Sequence, residues 1–516
     1  MEAIDALKQK VLSLAIQGKL VPQDPNDEPA SVLLEKIKTE KAELVKQGKI
    51  KKDKQESYIF RGDDNKYYEK IDSEVRDITD EIPFEIPDSW EWVRVDFLFN
   101  CYQPKTISTS ALISNGKYLV YGANGIIGRY NEYNHSKSEI LLTCRGATCG
   151  NVNVSEPFSW INGNAMVIHP YSTEIDRYYI VYMLKIFGKS SVLITGTAQP
   201  QIVQNNLNKL LVTLPPLSEQ KRIVAEIERV FAQIEIVKKN QEELSKLKDR
   251  LKNKILDLAI RGKLVEQDPN DEPASVLLEK IKAEKAELVK QGKIKKDKQE
   301  SYIYKTPDNR HYGDDKNHYT YFEQIGSEIK DITAEIPFDI PDSWEWVRLE
   351  YTTTYIQRGK SPQYTDIKEI PVISQKCVTK DGFNISPAKF INPQSLNTYS
   401  NERFLKNGDL LWNSTGTGTV GRVAIYNKDN NPYNIAVADS HVTVVRPLLI
   451  SNQYVYYYLT SPLVQEGIED ICDGSTNQKE LSLTTVKRYL IPLPPIQEQN
   501  RIVKKIENLL GIIVGL

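Results

Sequence analysis

Few residues in this chain are arranged for chemistry, and the arrangement closest to a known one fails on its context. Gly416-Thr-Gly-Thr-Val-Gly421 has the G-x-G-x-x-G spacing of a dinucleotide-binding turn. That turn needs a helix after the glycines, so that the helix N-terminus meets a pyrophosphate. Here Arg422-Val-Ala-Ile-Tyr426 follows, a strand-like run. A P-loop is excluded as well, because Arg422-Val423 stands where Lys-Ser/Thr is required. The segment reads as a glycine-rich loop between strands, able to approach a DNA backbone closely, with Ser414, Thr415, Thr417, Thr419 and Arg422 as donors. Cys144-Arg-Gly-Ala-Thr-Cys-Gly150 is its loose counterpart earlier in the chain. Asn430-Asn-Pro-Tyr433 lacks the second proline with which an adenine methyltransferase grips a flipped base, and the two Leu-Pro-Pro runs lack a polar first and an aromatic last residue. Five histidines share no pattern with a serine and an acid. Cys144 and Cys149 could begin a metal site, but no second Cys or His pair accompanies them, and they read as small buried side chains. What remains is a set of side chains able to donate or accept hydrogen bonds: Lys117, Asn124, Arg129 and Arg145, then Lys376, Ser414, Thr415, Thr417, Arg422 and His441. Side chains of these types reach base edges and phosphates.

The elements that must carry these donors come in duplicate. Residues 18–59 return at 262–303, differing only at Pro22/Glu266 and Thr39/Ala283. DITDEIPFEIPDSWEWVRV at 77–95 returns at 331–349, and LPPLSEQKRIVAEIE at 214–228 returns at 493–507, each with a few substitutions. The stretches between, 96–213 and 350–492, barely resemble each other. Two constant frames around two variable inserts present two different surfaces in one geometry, which suits reading two different things and suits a single catalytic site poorly. Both inserts alternate strand-like runs with Gly/Asn turns and then give a helical pattern, RYYIVYMLKIF or NQYVYYYLTS, which makes them α+β units. The glycines of Gly122-Ala-Asn-Gly-Ile-Ile-Gly128 serve as turn formers or as ligand contacts. Trp90, Trp92, Trp344 and Trp346 either pack each domain onto its frame or stack on DNA.

A long helix follows Pro215-Pro216, with Ser218 as N-cap, Glu219 in the first turn and Gly262 as the stop. Ile223, Ile227, Val230, Ile234, Val237, Leu244, Leu251, Ile255 and Leu258 form an a/d seam interrupted by Gln241 and Lys248. Roughly 43 residues at about 1.5 Å each give a rod on the order of 65 Å. Ile502, Ile506, Leu509, Ile513 and Leu516 repeat its first part, and Ile4, Leu7, Val11 and Leu14 its last part. A second rod made of the two chain ends follows, so Met1 and Leu516 should meet in a circular plan with a pseudo-two-fold axis.

Hydrophobic content of 40% and charged content of 26% describe an ordinary globular chain. No apolar run is long enough to span a membrane and Met1–Lys10 has no signal core, so no membrane role is expected. Five scattered cysteines fit a reducing compartment. A net charge of −2 does not advertise a nucleic-acid binder, so partners are expected to supply part of any phosphate neutralisation. Glu35–Lys54 and its copy each hold eight lysines against four acids, which reads as a solvated helix with Glu–Lys pairs.

AIQGKLV/AIRGKLV, QDPNDEPASVLLEKI, the PDSWEW segments, LPPLSEQKRIV before a long helix, VYGANGIIGRY and DLLWNSTGTGTVGRV together resemble the DNA-specificity subunit of Type I restriction–modification systems, over essentially the whole chain. The resemblance implies an α+β fold: two target recognition domains separated by two long antiparallel coiled-coil helices. On this sequence the parts are 1–20 (part of the second helix), 21–215 (first recognition domain), 216–262 (central helix), 263–494 (second recognition domain) and 495–516 (distal helix). It implies that each domain reads one half of an asymmetric bipartite site in double-stranded DNA. The helices would set the spacing and dock two modification subunits, with restriction subunits joining them. No cofactor is expected in this chain; S-adenosylmethionine, ATP and Mg belong to the partners, in the cytoplasm and at the nucleoid. A fused or solitary methyltransferase or nuclease specificity region, a half-specificity unit that dimerises, and a coiled-coil adaptor are the alternatives.

Overall fold

The computed structural model describes residues 2–52, 57–196, 199–296, 301–307, 319–416, 418–474 and 479–515. Met1 and Leu516, on which the expected meeting of the chain ends rests, and Thr417 lie outside the described residues. The chain divides into two units, Met1–Gln241 and Glu242–Leu516, with the boundary inside the long helix Leu217–Ile260. No helix among the described residues is long and apolar enough to cross a membrane.

The first unit begins with the helix Glu2–Ile16, then a lead-in helix, Ala30–Lys46. A three-stranded meander follows, Ser57–Arg61, Tyr67–Ile71 and Glu74–Asp77. Strand Glu91–Arg94 pairs antiparallel with Leu211–Leu214 and so closes the insert at its base. Within the insert, Phe99–Tyr102, Ala165–Pro170, Ile140–Thr143 and Val152–Val154 lie side by side in that order as one antiparallel sheet. A smaller sheet places Trp160–Ile161 parallel to Tyr118–Gly122, which forms a hairpin with Gly125–Tyr130. The expected helix is Arg177–Phe187, capped by the Asp176 carboxylate, which accepts from the Tyr178 and Tyr179 amides.

The second unit repeats this plan on an insert of different sequence. Helix Ala274–Lys290 leads into the meander Ser301–Pro307, Tyr319–Ile325 and Glu328–Asp331. Glu345–Arg348 pairs with Leu490–Leu493 at the base. The four-stranded sheet runs Thr353–Arg358, Val442–Pro447, Leu410–Asn413, Val423–Ile425, and the helix Asn452–Leu459 is capped by Ser451. Here too the smaller sheet contains one parallel pair, Pro371–Ile373 with Val437–Ala438.

The helical seam follows expectation at Ile223, Ile227, Ile234, Ile502 and Ile506, which are buried, and differs elsewhere. At the C-terminal end of the long helix Leu256, Ala259 and Ile260 are buried, whereas Ile255 and Leu258 are half-buried and Val237, Leu244 and Leu251 are exposed. Leu12, Ala15 and Ile16 are buried at the matching positions of the first helix, beside a half-buried Leu14 and an exposed Leu7. The cause is that each helix end packs on the broad face of its own unit, which asks for a wider stripe than a two-helix a/d seam. In the first unit Val11, Leu12, Ile16, Ile223 and Ile227 share a core with Trp90; in the second, Leu256, Ala259, Ile502 and Ile506 share one with Trp344. The tryptophans pack the domains onto their frames. Gly262 stops the long helix with φ +67, and a Cβ there would lie 2.5 Å from Pro341 Cγ. Ser218 is not its N-cap, because the helix already begins at Leu217; the Ser218 hydroxyl instead donates to Asp27, 2.5 Å away.

A Glu-Gln pair in the first turn of each closing helix joins the parts. Glu219, fully buried, accepts from Trp90 Nε1 at 2.8 Å and from Gln23 Nε2 at 2.5 Å. Gln220 accepts from the Asp176 amide at 2.8 Å and donates to the Pro215 carbonyl at 2.9 Å. Glu498 does the same with Trp344 at 2.9 Å and Gln267 at 2.5 Å, and Gln499 with the Ser451 amide and the Pro494 carbonyl, both at 2.8 Å. The lead-in helix has no side-chain cap of its own; its Ala30 amide donates to the Ser89 carbonyl at 2.9 Å, as Ala274 does to Ser343. Burial raises the Glu219 carboxyl above its ordinary range, although the Trp90 and Gln23 bonds oppose the shift.

A second cluster anchors each meander. Arg94 binds Glu69 and Glu81 at 2.8 Å each, and Arg348 binds Glu323 at 2.8 Å and Glu335 at 2.7 Å. Burial alone would raise Glu323, but the bonds from Arg348 and Ser301 and the charges of Arg348 and Arg488 outweigh it and hold the group low. Replacing Glu219 with Ala should destabilise the first unit by about 3 kcal/mol, given about 1–3 kcal/mol for each buried donor left without an acceptor. Glu498→Ala should do so in the second unit only. Hydrogen exchange read separately over residues 30–214 and 274–493 measures both.

Candidate nucleic-acid interface

In both units the four-stranded sheet ends in loops that converge through the same backbone bonds. After Ile140–Thr143 the chain turns so that the Gly150 amide donates to the Thr143 carbonyl at 2.8 Å; after Leu410–Asn413 the Gly421 amide donates to the Asn413 carbonyl at 2.9 Å. Cys144 N binds Asn164 O at 3.1 Å, matched by Ser414 N to His441 O at 2.9 Å. Ile202 N binds Cys144 O at 2.9 Å, matched by Leu481 N to Ser414 O at 2.7 Å. Bridges Arg145–Gln201 and Thr195–Gln201 have counterparts in Thr415–Glu480 and Asp473–Glu480. Cys144-Arg-Gly-Ala-Thr-Cys-Gly150 and the Gly416–Gly421 run are therefore one loop in two versions. The glycines permit it: Gly150 and Gly421 have φ of +86 and +85, and a Cβ on Gly150 would lie 2.3 Å from the Gly188 carbonyl.

The second unit brings several expected residues together. Thr415 Oγ1 lies 2.7 Å from His441 Nδ1, and Gln375 Nε2 donates to both the carbonyl and the hydroxyl of Thr415, at 2.6 and 2.7 Å. Lys376 is exposed beside Gln375, and His441 is exposed above Asp439, whose carboxylate accepts the His441 amide at 2.8 Å. Burial raises the Asp439 carboxyl, and that hydrogen bond opposes the shift. Arg422 is half-buried and donates to the Gly418 carbonyl at 2.7 Å, so it braces the loop. Ser414 differs from expectation: it is fully buried and its hydroxyl pairs with Thr443 at 2.5 Å, supporting the loop from beneath.

The first unit separates its candidates. Arg145 is exposed at the loop position of Thr415. Asn124, at the turn of the 118–130 hairpin, accepts from Asn151 at 3.0 Å and so adjoins the same loop. The Thr143 hydroxyl, donating to the Ala123 carbonyl, ties that turn to the sheet. Lys117 and Arg129 sit at the other end of the hairpin, with Arg129 3.4 Å from the carbonyls of Gly116 and Lys117.

Three loop residues escaped the sequence reading: Asn164 and Gln201, exposed beside Arg145, and Glu480, exposed beside Thr415. None belongs to a motif, and only the paired backbone bonds reveal that Asn164 matches His441 and Gln201 matches Glu480. Arg358 was missed as well. It pairs with Glu480 and donates to the Leu481 carbonyl at 2.7 Å, while Arg403 donates to the Arg358 carbonyl at 3.1 Å. The available sign was the Arg358-Gly-Lys360 run after a strand-like TTYIQ. Each unit thus offers a loop cluster whose exposed side chains can donate and accept hydrogen bonds along an external surface.

A family model described as the Type I restriction modification DNA specificity domain matches residues 87–246 and 341–514. The EcoAI specificity subunit of Escherichia coli is 28% identical over 580 residues, covering 98% of this chain and 89% of its own. The EcoEI specificity subunit of Escherichia coli is 27% identical over 591 residues, with the same two coverages. Among solved structures, a chain from work on complex assembly and conformational transition of the type I R-M system aligns with TM-score 0.50 and 16% identity, over 84% of this chain and 93% of that one. At that identity the likeness concerns the fold.

Gly359 is the glycine on which the second cluster depends most, since a Cβ there would fall 2.1 Å from the Asp439 carbonyl and 2.2 Å from that of Ala438. Gly359→Ala should destabilise the second unit by about 1–3 kcal/mol, the usual cost of overpacking, and leave the first unit's unfolding unchanged in denaturant titrations followed by hydrogen exchange.

Proposed function

The chain belongs to the Type I restriction–modification DNA specificity family, and we propose that each of its two units reads one half of a bipartite duplex site through its converging loops. One observation carries this reading. The two clusters are built on the same backbone bonds, yet their side chains differ at three matched positions: exposed Arg145 against half-buried Thr415, Asn164 against His441, and Gln201 against Glu480. A shared scaffold with different hydrogen-bonding groups is what reading two different half-sites requires, since base-edge contacts carry sequence and backbone contacts fix register.

In this reading the chain performs no chemistry itself. Two modification subunits dock along its helices, carry S-adenosylmethionine and methylate adenine; restriction subunits, using ATP and Mg, complete the assembly. The long helix sets the distance between half-sites, and the complex works on DNA in the cytoplasm. The near-neutral net charge supports the division of labour, because the partners supply much of the phosphate neutralisation.

Exchanging residues 96–213 for the equivalent stretch of a relative should change one half of the methylated site and leave the other intact, read by mapping methyl-adenine in cells that express the chain with its modification partner. A change in both halves, or in neither, contradicts one unit per half-site. The purified chain alone should transfer no labelled methyl group to DNA; incorporation by the partner-free protein would refute the non-catalytic assignment.

A further inference from the structure

The outward faces of the two three-stranded meanders are more apolar than the fold requires. Their inward faces are accounted for: Tyr67 and Glu69, or Tyr321 and Glu323, are buried, and Arg94 or Arg348 clamps the glutamate. On the other face Phe60 stands opposite Tyr68, and Lys70 lies between Tyr58 and Val75. Residues directly opposite one another share a face. In the second meander Tyr304 stands opposite Phe322, and Gln324 lies between Tyr302 and Ile329. The three rings form the same ladder in both. Tyr58–Phe60 and Phe60–Tyr68 centroids are each 5.7 Å apart, as are Tyr302–Tyr304 and Tyr304–Phe322. Tyr58 and Val75 remain 55% and 56% exposed, and Tyr302 and Ile329 57% each.

The two copies have diverged around this face without losing it. Between matched positions of the first two strands the second copy carries ten more residues, because the register of the repeat moves from 244 to 254 there. Phe60 became Tyr304, Tyr68 became Phe322 and Val75 became Ile329, so the residue types changed places while aromatic and aliphatic character stayed. The charge did not stay, since Lys70 is matched by Gln324. An exposed position that serves only the strand's own stability tolerates threonine or a charge, and β-propensity alone does not preserve an apolar face.

We propose that these two faces are docking platforms for two copies of one partner protein with an apolar contact surface, one copy on each unit. The duplication identifies an occupant that binds twice in the same pose whichever recognition domain stands beside it, which the differing half-site bases cannot do. Charge argues against a nucleic-acid strand: single-strand platforms combine stacking rings with a basic groove, and among the described residues the two ladders share no cation, Lys70 being matched by Gln324. Large apolar patches with aromatic anchors mark protein interfaces. The proposal rests on the reading above that two identical modification subunits assemble on the chain, and it adds a contact away from the helices.

The test uses the full chain with the modification subunit, titrated and counted by native mass spectrometry, with duplex DNA binding and thermal unfolding measured alongside. The wild type should hold two copies. Tyr58→Glu with Val75→Glu should weaken one copy at least tenfold, the scale of losing an aromatic anchor. Tyr302→Glu with Ile329→Glu should weaken the other, and the fourfold variant both. Tyr58→Ser and Tyr302→Ser, which add no charge, should move affinity the same way with unfolding unchanged. Two copies held with wild-type affinity by every folded variant overturn the platforms while leaving the assembly reading standing. A wild-type chain that binds no modification subunit defeats the assembly reading itself, and the platforms with it. Loss of DNA binding or of self-association, with partner affinity intact, assigns the faces to another occupant and also overturns the proposal.

Discussion

Two adjacent side chains, Glu219 and Gln220, hold the first unit's separate pieces against one helix, and Glu498 and Gln499 do so in the second. The glutamate sits at the N-terminal end of its helix, where the macrodipole favours a carboxylate, and it holds the lead-in segment through Gln23 or Gln267 and the domain entry through Trp90 or Trp344. The glutamine takes the amide of the residue that caps the recognition domain's own helix, Asp176 or Ser451. Because the two residues are neighbours on a rigid helix, frame and insert are located within one turn of each other. An insert can then change almost all of its sequence, provided it returns a capping residue to that point and a strand to the base pair of strands.

The carboxylates in the two anchoring clusters respond to acid in opposite senses. Glu219 and Glu498 are raised by burial, so protonation favours the folded state; their contribution is greatest below the ordinary value of 4.5 and declines as pH rises through the raised one. Glu69 and Glu323 are held low by their arginines despite burial. Their contribution is present above 4.5 and is lost as pH falls through the depressed value. The frame therefore has no single acid-labile lock: as the meander clusters loosen, the Trp–Glu contacts are relieved of a buried charge.

Most of the architecture was legible in the sequence because it is repeated there. The helix Arg177–Phe187 and the strands at Ile140–Thr143, Ala165–Pro170 and Val442–Pro447 follow from periodicity. The glycine-rich loop was recognisable as a loop between strands because a strand, not a helix, follows it. The loop contacts were less legible. Ser414 looked like a donor, yet a hydroxyl at that position turns inward to Thr443. Asn164 and Gln201 in the first unit and Glu480 in the second belong to no local pattern, and only long-range backbone pairing brings each into its own unit's loop cluster. The helical seam was legible in part: Ile223, Ile227, Ile234, Ile502 and Ile506 are buried as its spacing implies, whereas at the C-terminal end of the long helix Leu256, Ala259 and Ile260 are buried, because that end meets the broad face of a globular unit.

The near-identity of the two lead-in segments has a consequence for heredity. Residues 18–59 and 262–303 differ at two positions only, and the contacts they make are the same: Ala30 or Ala274 to its serine carbonyl, Gln23 or Gln267 to its glutamate; where the gene is as alike as the protein, homologous exchange would align them. A crossover anywhere in that stretch deletes one insert in register. It leaves the first helix, one lead-in segment, the second recognition domain and the closing helix Ile496–Gly515, in which Leu12, Ala15 and Ile16 take the places that Leu256, Ala259 and Ile260 occupy now. The joint would be silent in packing, so the gene can lose, gain or reshuffle a reading head without first having to repair a core.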